Sequence, residues 1–170
     1  MKTVTGLLPF AVVLAGIGGA IWWLLARDTT IGRWVLGGFL LAHGLIHVLF
    51  FVPAPATATP AAGGGAEWPF DMTRSWLVTS GGLDLGPVRL LGAALVVVVA
   101  VGFLLAALAT VGVVVPSGWW QVLVVGSAAA SVVLLALFFN PQLVLGVAID
   151  AVLVWVVLAS VWAPTVAASS

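Results

Sequence analysis

The chain consists of long apolar stretches separated by polar connectors. A helix needs about 20 apolar residues to cross the hydrocarbon core of a bilayer, because it rises about 1.5 Å per residue. Stretches of this length cover residues 7–26, 32–52, 88–114, 119–139 and 143–163. The pattern therefore predicts an all-α fold with five transmembrane helices.

The connectors indicate how these helices are arranged. The segments "RDTTIG", "VPSGWW" and "NPQ" are short, and short connections make successive helices antiparallel neighbours. We therefore expect a single membrane domain over residues 1–170, folded as an up-and-down bundle. The remaining connector, residues 53–87, is long enough to lie outside the bilayer. Its second half, "EWPFDMTRSWLV", has the aromatic content expected of a structured cap on one end of the bundle.

Composition places most of the protein surface in lipid. Hydrophobic residues make up 64% of the chain, charged residues 6%, and the mean hydropathy is +1.33. A water-soluble domain carries about 25% charged residues, so we expect a multi-pass protein of the cell membrane. The net charge of zero provides no basic surface for nucleic acid. The absence of cysteine excludes disulfides and thiolate metal sites.

A few polar side chains interrupt the apolar stretches. His43 and His47 are the only histidines, and their spacing in "LLAHGLIHVLFF" puts them on one face of a helix. Asp150 is the single ionisable residue of the last stretch. A carboxyl group inside a membrane costs about 2.5–3.5 kcal/mol, so it normally faces the bundle interior and has a partner.

The depth of these side chains predicts that they meet. The second stretch ends, and the last one begins, on the same side of the bundle, so His43 and Asp150 lie about 10–14 Å below the same surface. Ser131 falls near this level, and His47 lies one turn closer to the surface. We expect these four residues to form one polar layer that opens toward the long loop. The mouth of this pocket is expected at Trp68, Asp71, Arg74, Asn140 and Gln142.

Several roles are compatible with this polar layer. A His–Asp hydrogen bond could simply hold two helices together, and acid–imidazole chains also carry protons in membrane pumps and transporters. His43, His47 and Asp150 would offer two nitrogens and one oxygen to zinc or iron, although the sequence requires no cofactor. Ser131, His43 and Asp150 also have the residue types of a nucleophilic triad.

Small residues are frequent in the apolar stretches, as in "AGIGGA" (15–20) and "GSAAAS" (126–131). Such residues let helix backbones approach closely in lipid, where packing drives helix association. Besides lipid, the expected partners are therefore other membrane proteins or further copies of this chain, bound through small-residue helix faces. The glycine-rich first helix is the best candidate surface.

Three segments, "AHGLIHVLFF", "WPFDMTRSWL" and "LFFNPQLVLGVAIDAVLV", resemble a group of uncharacterised small prokaryotic polytopic membrane proteins. The resemblance covers the second to fifth predicted helices. It implies that the histidine pair, the WPFD loop and the late aspartate occur together, and it implies no activity. In size the chain is also similar to DoxX-like four-helix membrane proteins, without a shared motif.

These observations favour a non-enzymatic membrane protein, either an accessory or structural subunit or a small channel or transport unit. The alternative is an intramembrane metal-binding protein or enzyme that uses His43, His47 and Asp150.

Overall fold

The computed structural model describes residue 19 and residues 30–54 and 68–159. This part of the chain is helical and contains no β-strand. Its α-helices are α1 (Thr30–Ile46), α2 (Trp76–Thr79), α3 (Leu85–Val111), α4 (Trp120–Leu137) and α5 (Val144–Leu158). A 3₁₀ segment continues α1, and others precede α2, α4 and α5; they are His47–Phe51, Met72–Arg74, Ser117–Trp119 and Pro141–Leu143.

Four helical segments in the described residues are long and apolar enough to cross a membrane. They are Thr30–Phe51, Leu85–Val111, Ser117–Leu137 and Pro141–Leu158. Each overlaps one of the last four predicted helices over most of its length, so the all-helical prediction is confirmed for this part of the chain. The helix predicted over residues 7–26 lies outside the described residues, apart from Gly19, which is helical.

Helix α3 ends before the apolar stretch that contains it. The sequence predicted a helix through residue 114, but Gly112 adopts a left-handed backbone conformation with φ of 74°. The N–H of Val113 then donates to the carbonyl oxygen of Leu108 at 3.0 Å. This is the Schellman arrangement that satisfies the last carbonyl groups of a helix. Helix α3 therefore stops at Val111 even though apolar residues continue.

Helices α1 and α3 pack against each other in opposite directions. A Cβ atom built on Gly37 would lie 3.0 Å from Val111, and one built on Gly44 would lie 2.7 Å from Phe103. Residue numbers thus rise along α1 as they fall along α3. The lack of a side chain at both glycines allows this close approach.

The same antiparallel packing continues through the rest of the bundle. Gly92 of α3 faces Phe138 at the end of α4, and Gly102 faces Ser127. Helix α5 packs against α4 after the tight turn at residues 138–143. Helices α1, α3, α4 and α5 therefore form an up-and-down bundle in chain order, with α2 at one end.

Candidate functional site

Four polar side chains meet between α1, α4 and α5. Nε2 of His43 lies 2.9 Å from Oδ1 of Asp150. The hydroxyl group of Ser131 donates to Oδ2 of Asp150 at 2.6 Å. Nε2 of His47 lies 2.8 Å from Oγ of Ser131. The structure thus brings the four residues of the expected polar layer together in one hydrogen-bonded network.

The network is almost completely enclosed by protein. The exposed fractions are 7% for His43, 2% for His47, and 0% for both Ser131 and Asp150. An ionisable group in such a place is stable only when hydrogen bonds or an opposite charge replace its lost solvation. The network supplies these partners from three helices.

The two imidazole rings are held in different orientations. Nδ1 of His47 lies 2.9 Å from the carbonyl oxygen of His43, one turn earlier in the chain. The ring of His43 stacks on Phe39 at a centroid distance of 6.2 Å, and meets the ring of Phe103 edge-on at 4.9 Å. The planes of the two imidazoles are inclined at 85°. Their Nε2 atoms therefore reach different partners, Asp150 and Ser131.

Two groups of buried apolar side chains lie on either side of the network along the helix axes. The loop-side cluster consists of Phe50, Met72, Val88, Val96, Leu134, Leu135, Phe138 and Leu143. The far-side cluster consists of Leu36, Leu40, Val99, Phe103, Ala106, Ala107, Ala109, Trp120, Val124, Ala128, Leu153 and Val157. In α4, for example, Ser131 lies between Ala128 of one cluster and Leu134 of the other. The network is therefore a polar layer between two apolar ones.

The loop-side cluster separates the network from the loop, whereas the sequence analysis expected the polar layer to open in that direction. Phe50, one turn beyond His47, packs edge-on against Phe70 at 5.3 Å and lies 5.9 Å from Phe138. These aromatic rings occupy the position expected for the opening. In the apolar stretch that follows His47, Phe50 is buried and closes the layer, while Phe51 and Val52 are exposed.

A cleft of about 690 Å³ does lie at the loop end of the bundle, between residues 50–54, 68–73 and 89–93. Trp68 and Asp71, two of the five residues expected at a pocket mouth, line this cleft. None of the four network residues lines it. The cleft is a surface feature of the loop end and is distinct from the polar layer.

Asp71 and the three other residues expected at the pocket mouth have local structural contacts. Asp71 accepts hydrogen bonds from the backbone N–H and the hydroxyl of Thr73, and its carboxylate lies 3.5 Å from Nε of Arg74. The side-chain oxygen of Asn140 accepts a hydrogen bond from the backbone N–H of Gln142 at 3.0 Å. Arg74, Asn140 and Gln142 are not among the residues that line the cleft.

Sequence analysis did not anticipate how the loop is fixed to the bundle. The hydroxyl of Ser75 donates to the carbonyl oxygen of Leu137 at 2.7 Å, and Nε1 of Trp76 donates to that of Ala136 at 2.9 Å. Both acceptors belong to the last turn of α4, where carbonyl groups lack partners within the helix. The only indication of this attachment in the sequence was the position of Ser75 directly before a short helical segment.

The network does not have the arrangement expected of a metal site. Nε2 of His43 is directed at Asp150 and Nε2 of His47 at Ser131, so the two nitrogens do not converge on one position. Within residues 30–54 and 68–159, no group of three or more His, Cys, Asp or Glu side chains is placed to hold a metal ion. The zinc or iron interpretation therefore gains no support from the geometry.

The network also differs from a nucleophilic triad. In a triad one imidazole lies between the serine and the acid. Here Ser131 pairs with His47 while Asp150 pairs with His43, and the serine hydroxyl is bonded to the acid directly. Ser131 is also fully buried. Ser131, His43 and Asp150 therefore do not form the triad that their residue types would allow.

Architecture and site together define a helical bundle with four apolar candidate membrane-spanning helices around a buried His–Ser–Asp network. Comparison of the chain with protein-family models, curated proteins and solved structures found no match.

Proposed function

We propose that the chain is an integral, multi-pass membrane protein that acts as a non-enzymatic structural or accessory subunit. The outward surfaces of its long helices support the membrane assignment. Large apolar side chains such as Leu90, Val122 and Leu158 are mostly exposed there. Soluble monomers rarely expose continuous apolar surface on this scale, and lipid is the solvent that suits it.

The enclosure of the polar network is the observation that carries the non-enzymatic part of this proposal. The network lies between two apolar clusters, and each of its four residues bonds another of them. A substrate or solute coming from the loop end would have to displace Phe50 or Phe138. Hydrogen bonds between helices stabilise their association in lipid, and a fully satisfied buried network favours one packing arrangement.

Membrane insertion predicts that the two ends of the bundle lie on opposite sides of a bilayer. The chain has no cysteine, so a single introduced cysteine is a unique label. In sealed vesicles, a membrane-impermeant maleimide should label Ser80→Cys and Gln142→Cys from the same side. Gly118→Cys should react only from the opposite side, because it lies in the α3–α4 connection.

The unsubstituted chain provides the control, and permeabilised vesicles should allow all three variants to react. Labelling of all three positions from one side of intact vesicles would contradict the four-span arrangement.

The accessory role predicts that the chain belongs to a larger assembly. Extraction with an amphipathic polymer, which keeps native lipid around the protein, should yield particles with a second copy or another membrane protein in constant ratio to the 17.4 kDa chain. The mass of these particles and their subunit ratio, measured at two dilutions, test the prediction. A lone chain under both polymer and mild detergent extraction would contradict the accessory role and favour a small transport unit.

Only part of the small-residue stretch of α4 is available to such a partner, since Gly126 and Ala129 are exposed. Ser127, Ala128 and Ser131 are buried inside the bundle. The glycine-rich first helix, which the sequence analysis favoured for this purpose, falls outside the described residues except for Gly19, where an added Cβ would meet no atom within 4 Å.

A further inference from the structure

Part of the network is an unbranched chain of hydrogen-bonding atoms. Nε2 of His47, Oγ of Ser131 and Oδ2 of Asp150 follow one another at 2.8 and 2.6 Å. We infer that this chain is an internal proton relay with two configurations that contain the same number of protons. Such proton transfer is an activity beyond the structural role proposed for the protein, and it does not depend on that role.

The position of one proton of His47 is fixed by its surroundings. Nδ1 of this ring lies 2.9 Å from the carbonyl oxygen of His43. A carbonyl oxygen can only accept a hydrogen bond, so Nδ1 must carry a proton. The only variable proton of the His47 ring is therefore the one on Nε2, which faces Ser131.

The two links of the chain require two protons. The hydroxyl group of Ser131 has one proton and can donate only once. If it donates to Asp150, then Nε2 of His47 must carry the proton of the other link. If it donates to His47, then Oδ2 of Asp150 must be protonated. With only one proton, one of the two links would have no hydrogen bond. A lone pair of Nε2 or of Oδ2 would then face Oγ at 2.8 or 2.6 Å, with no hydrogen bond to account for so short a distance.

These alternatives define the two configurations of the relay. In the first, His47 is an imidazolium and Asp150 a carboxylate; in the second, both are neutral. To convert the first into the second, the Nε2–H bond of His47 breaks and a new O–H bond forms on Ser131. At the same time the original O–H bond of Ser131 breaks and an O–H bond forms at Oδ2 of Asp150. Both protons move in the same direction, and the summed charge of the two residues stays zero.

Opposing effects favour the two configurations. A 2.6 Å distance between Ser131 and Asp150 lies in the range of a hydroxyl donating to a carboxylate, which favours the charged configuration. Complete burial of Asp150 favours the neutral configuration, because separated charges are poorly solvated in an apolar interior. Since the total charge is zero in both, the relay needs no counter-ion from outside the bundle.

His43 couples the relay to the packing of α1 on α5. Its Nε2 lies 2.9 Å from Oδ1 of Asp150, the oxygen that the relay does not use. Hydrogen bonds to an ionised acceptor are about twice as strong as those between neutral groups. The His43 bond therefore strengthens when Asp150 is a carboxylate and weakens when it is protonated. From α3, the ring that contacts His43 is the apolar Phe103.

Spectroscopy of the whole chain in lipid nanodiscs tests the relay directly. With ¹⁵N-labelled histidine, only two ring systems contribute to the nitrogen spectrum. We expect Nδ1 of His47 to be protonated and Nε2 to show a shift averaged between the protonated and unprotonated states. Infrared spectra should contain the carbonyl band of a protonated carboxylic acid. On changing temperature, this band should weaken as the protonation of Nε2 rises.

Two variants complete the test. Asp150→Asn should abolish the carboxylic acid band and leave Nε2 of His47 fully unprotonated. Asp71→Asn, which alters an exposed carboxylate of the loop, should leave both signals unchanged. The inference is overturned if the unmodified protein shows one fixed configuration, if it lacks both the band and the Nε2 proton, or if Nδ1 is unprotonated. These measurements on the unmodified protein remain decisive even if the Asn variant fails to fold.

Discussion

Replacing Asp150 with alanine should lower the free energy of unfolding by about 2–3 kcal/mol. The carboxyl group is the shared partner of His43 and Ser131, and its removal leaves His43 without an acceptor, and Ser131 with His47 alone, in a layer closed by apolar side chains. Titration of the purified protein with a denaturing detergent, followed by the fluorescence of its nine tryptophans, would measure the change.

Asp150→Asn is the matched control for this experiment. The amide oxygen can accept from His43, the amide nitrogen can donate to Ser131, and the Ser131 hydroxyl can then donate to Nε2 of His47. Because every hydrogen bond has a replacement, we expect the Asn variant to stay within about 1 kcal/mol of the unmodified protein. Equal stability of the Ala and Asn variants would contradict a role of the network in holding the helices together.

The apolar pattern predicted the helices of the bundle but not the face that each presents to its neighbours. Spans could be located because a bilayer requires a minimum length of apolar sequence. Helices such as α3 are apolar all round, so the usual contrast between a buried and a polar face is absent. The end of α3 depends on Gly112, whose backbone conformation overrides the apolar residues that follow it.

Depth along the helices was sufficient to predict that His43 and Asp150 would meet, because antiparallel connections put the end of one helix level with the start of another. The individual hydrogen bonds could not be predicted in this way. These hydrogen bonds depend on the rotation of each helix about its own axis and on the change from α to 3₁₀ geometry at His47. This is why Ser131 could be placed near the level of His43 and Asp150, but its bonds to Asp150 and His47 could not be predicted.

The closure of the network on the loop side could not be predicted, for a related reason. Phe50 and Phe138 have neighbours of similar hydropathy, and nothing in a uniformly apolar segment distinguishes a ring that packs inward from one that faces lipid. Their inward orientation became evident from their contacts with each other and with Phe70. Depth identifies which polar groups share a layer, whereas access to that layer depends on side-chain packing.

Replacing Gly44 with alanine should destabilise the bundle by about 1–3 kcal/mol. An added Cβ would lie 2.7 Å from Cβ of Phe103, and this atom cannot rotate away because it is bonded directly to the backbone of α3. Helices α1 and α3 would have to separate by about 1 Å to reach an ordinary carbon–carbon contact. Because His43 precedes Gly44 and packs on Phe103, the same movement would disturb its bond to Asp150.

Gly38→Ala is the matched control, since Gly38 lies in the same helix and an added Cβ there would meet no atom within 4 Å. Alanine is favoured over glycine inside a helix by about 0.5–1 kcal/mol, so this variant should be as stable as the unmodified protein or slightly more stable. The detergent titration used for Asp150 would compare the two. If both substitutions had the same effect on stability, the close approach of α1 and α3 at Gly44 would not be what makes an added side chain there unfavourable. Loss of stability at Gly44 alone would show that the bundle depends on the tight packing of α1 against α3.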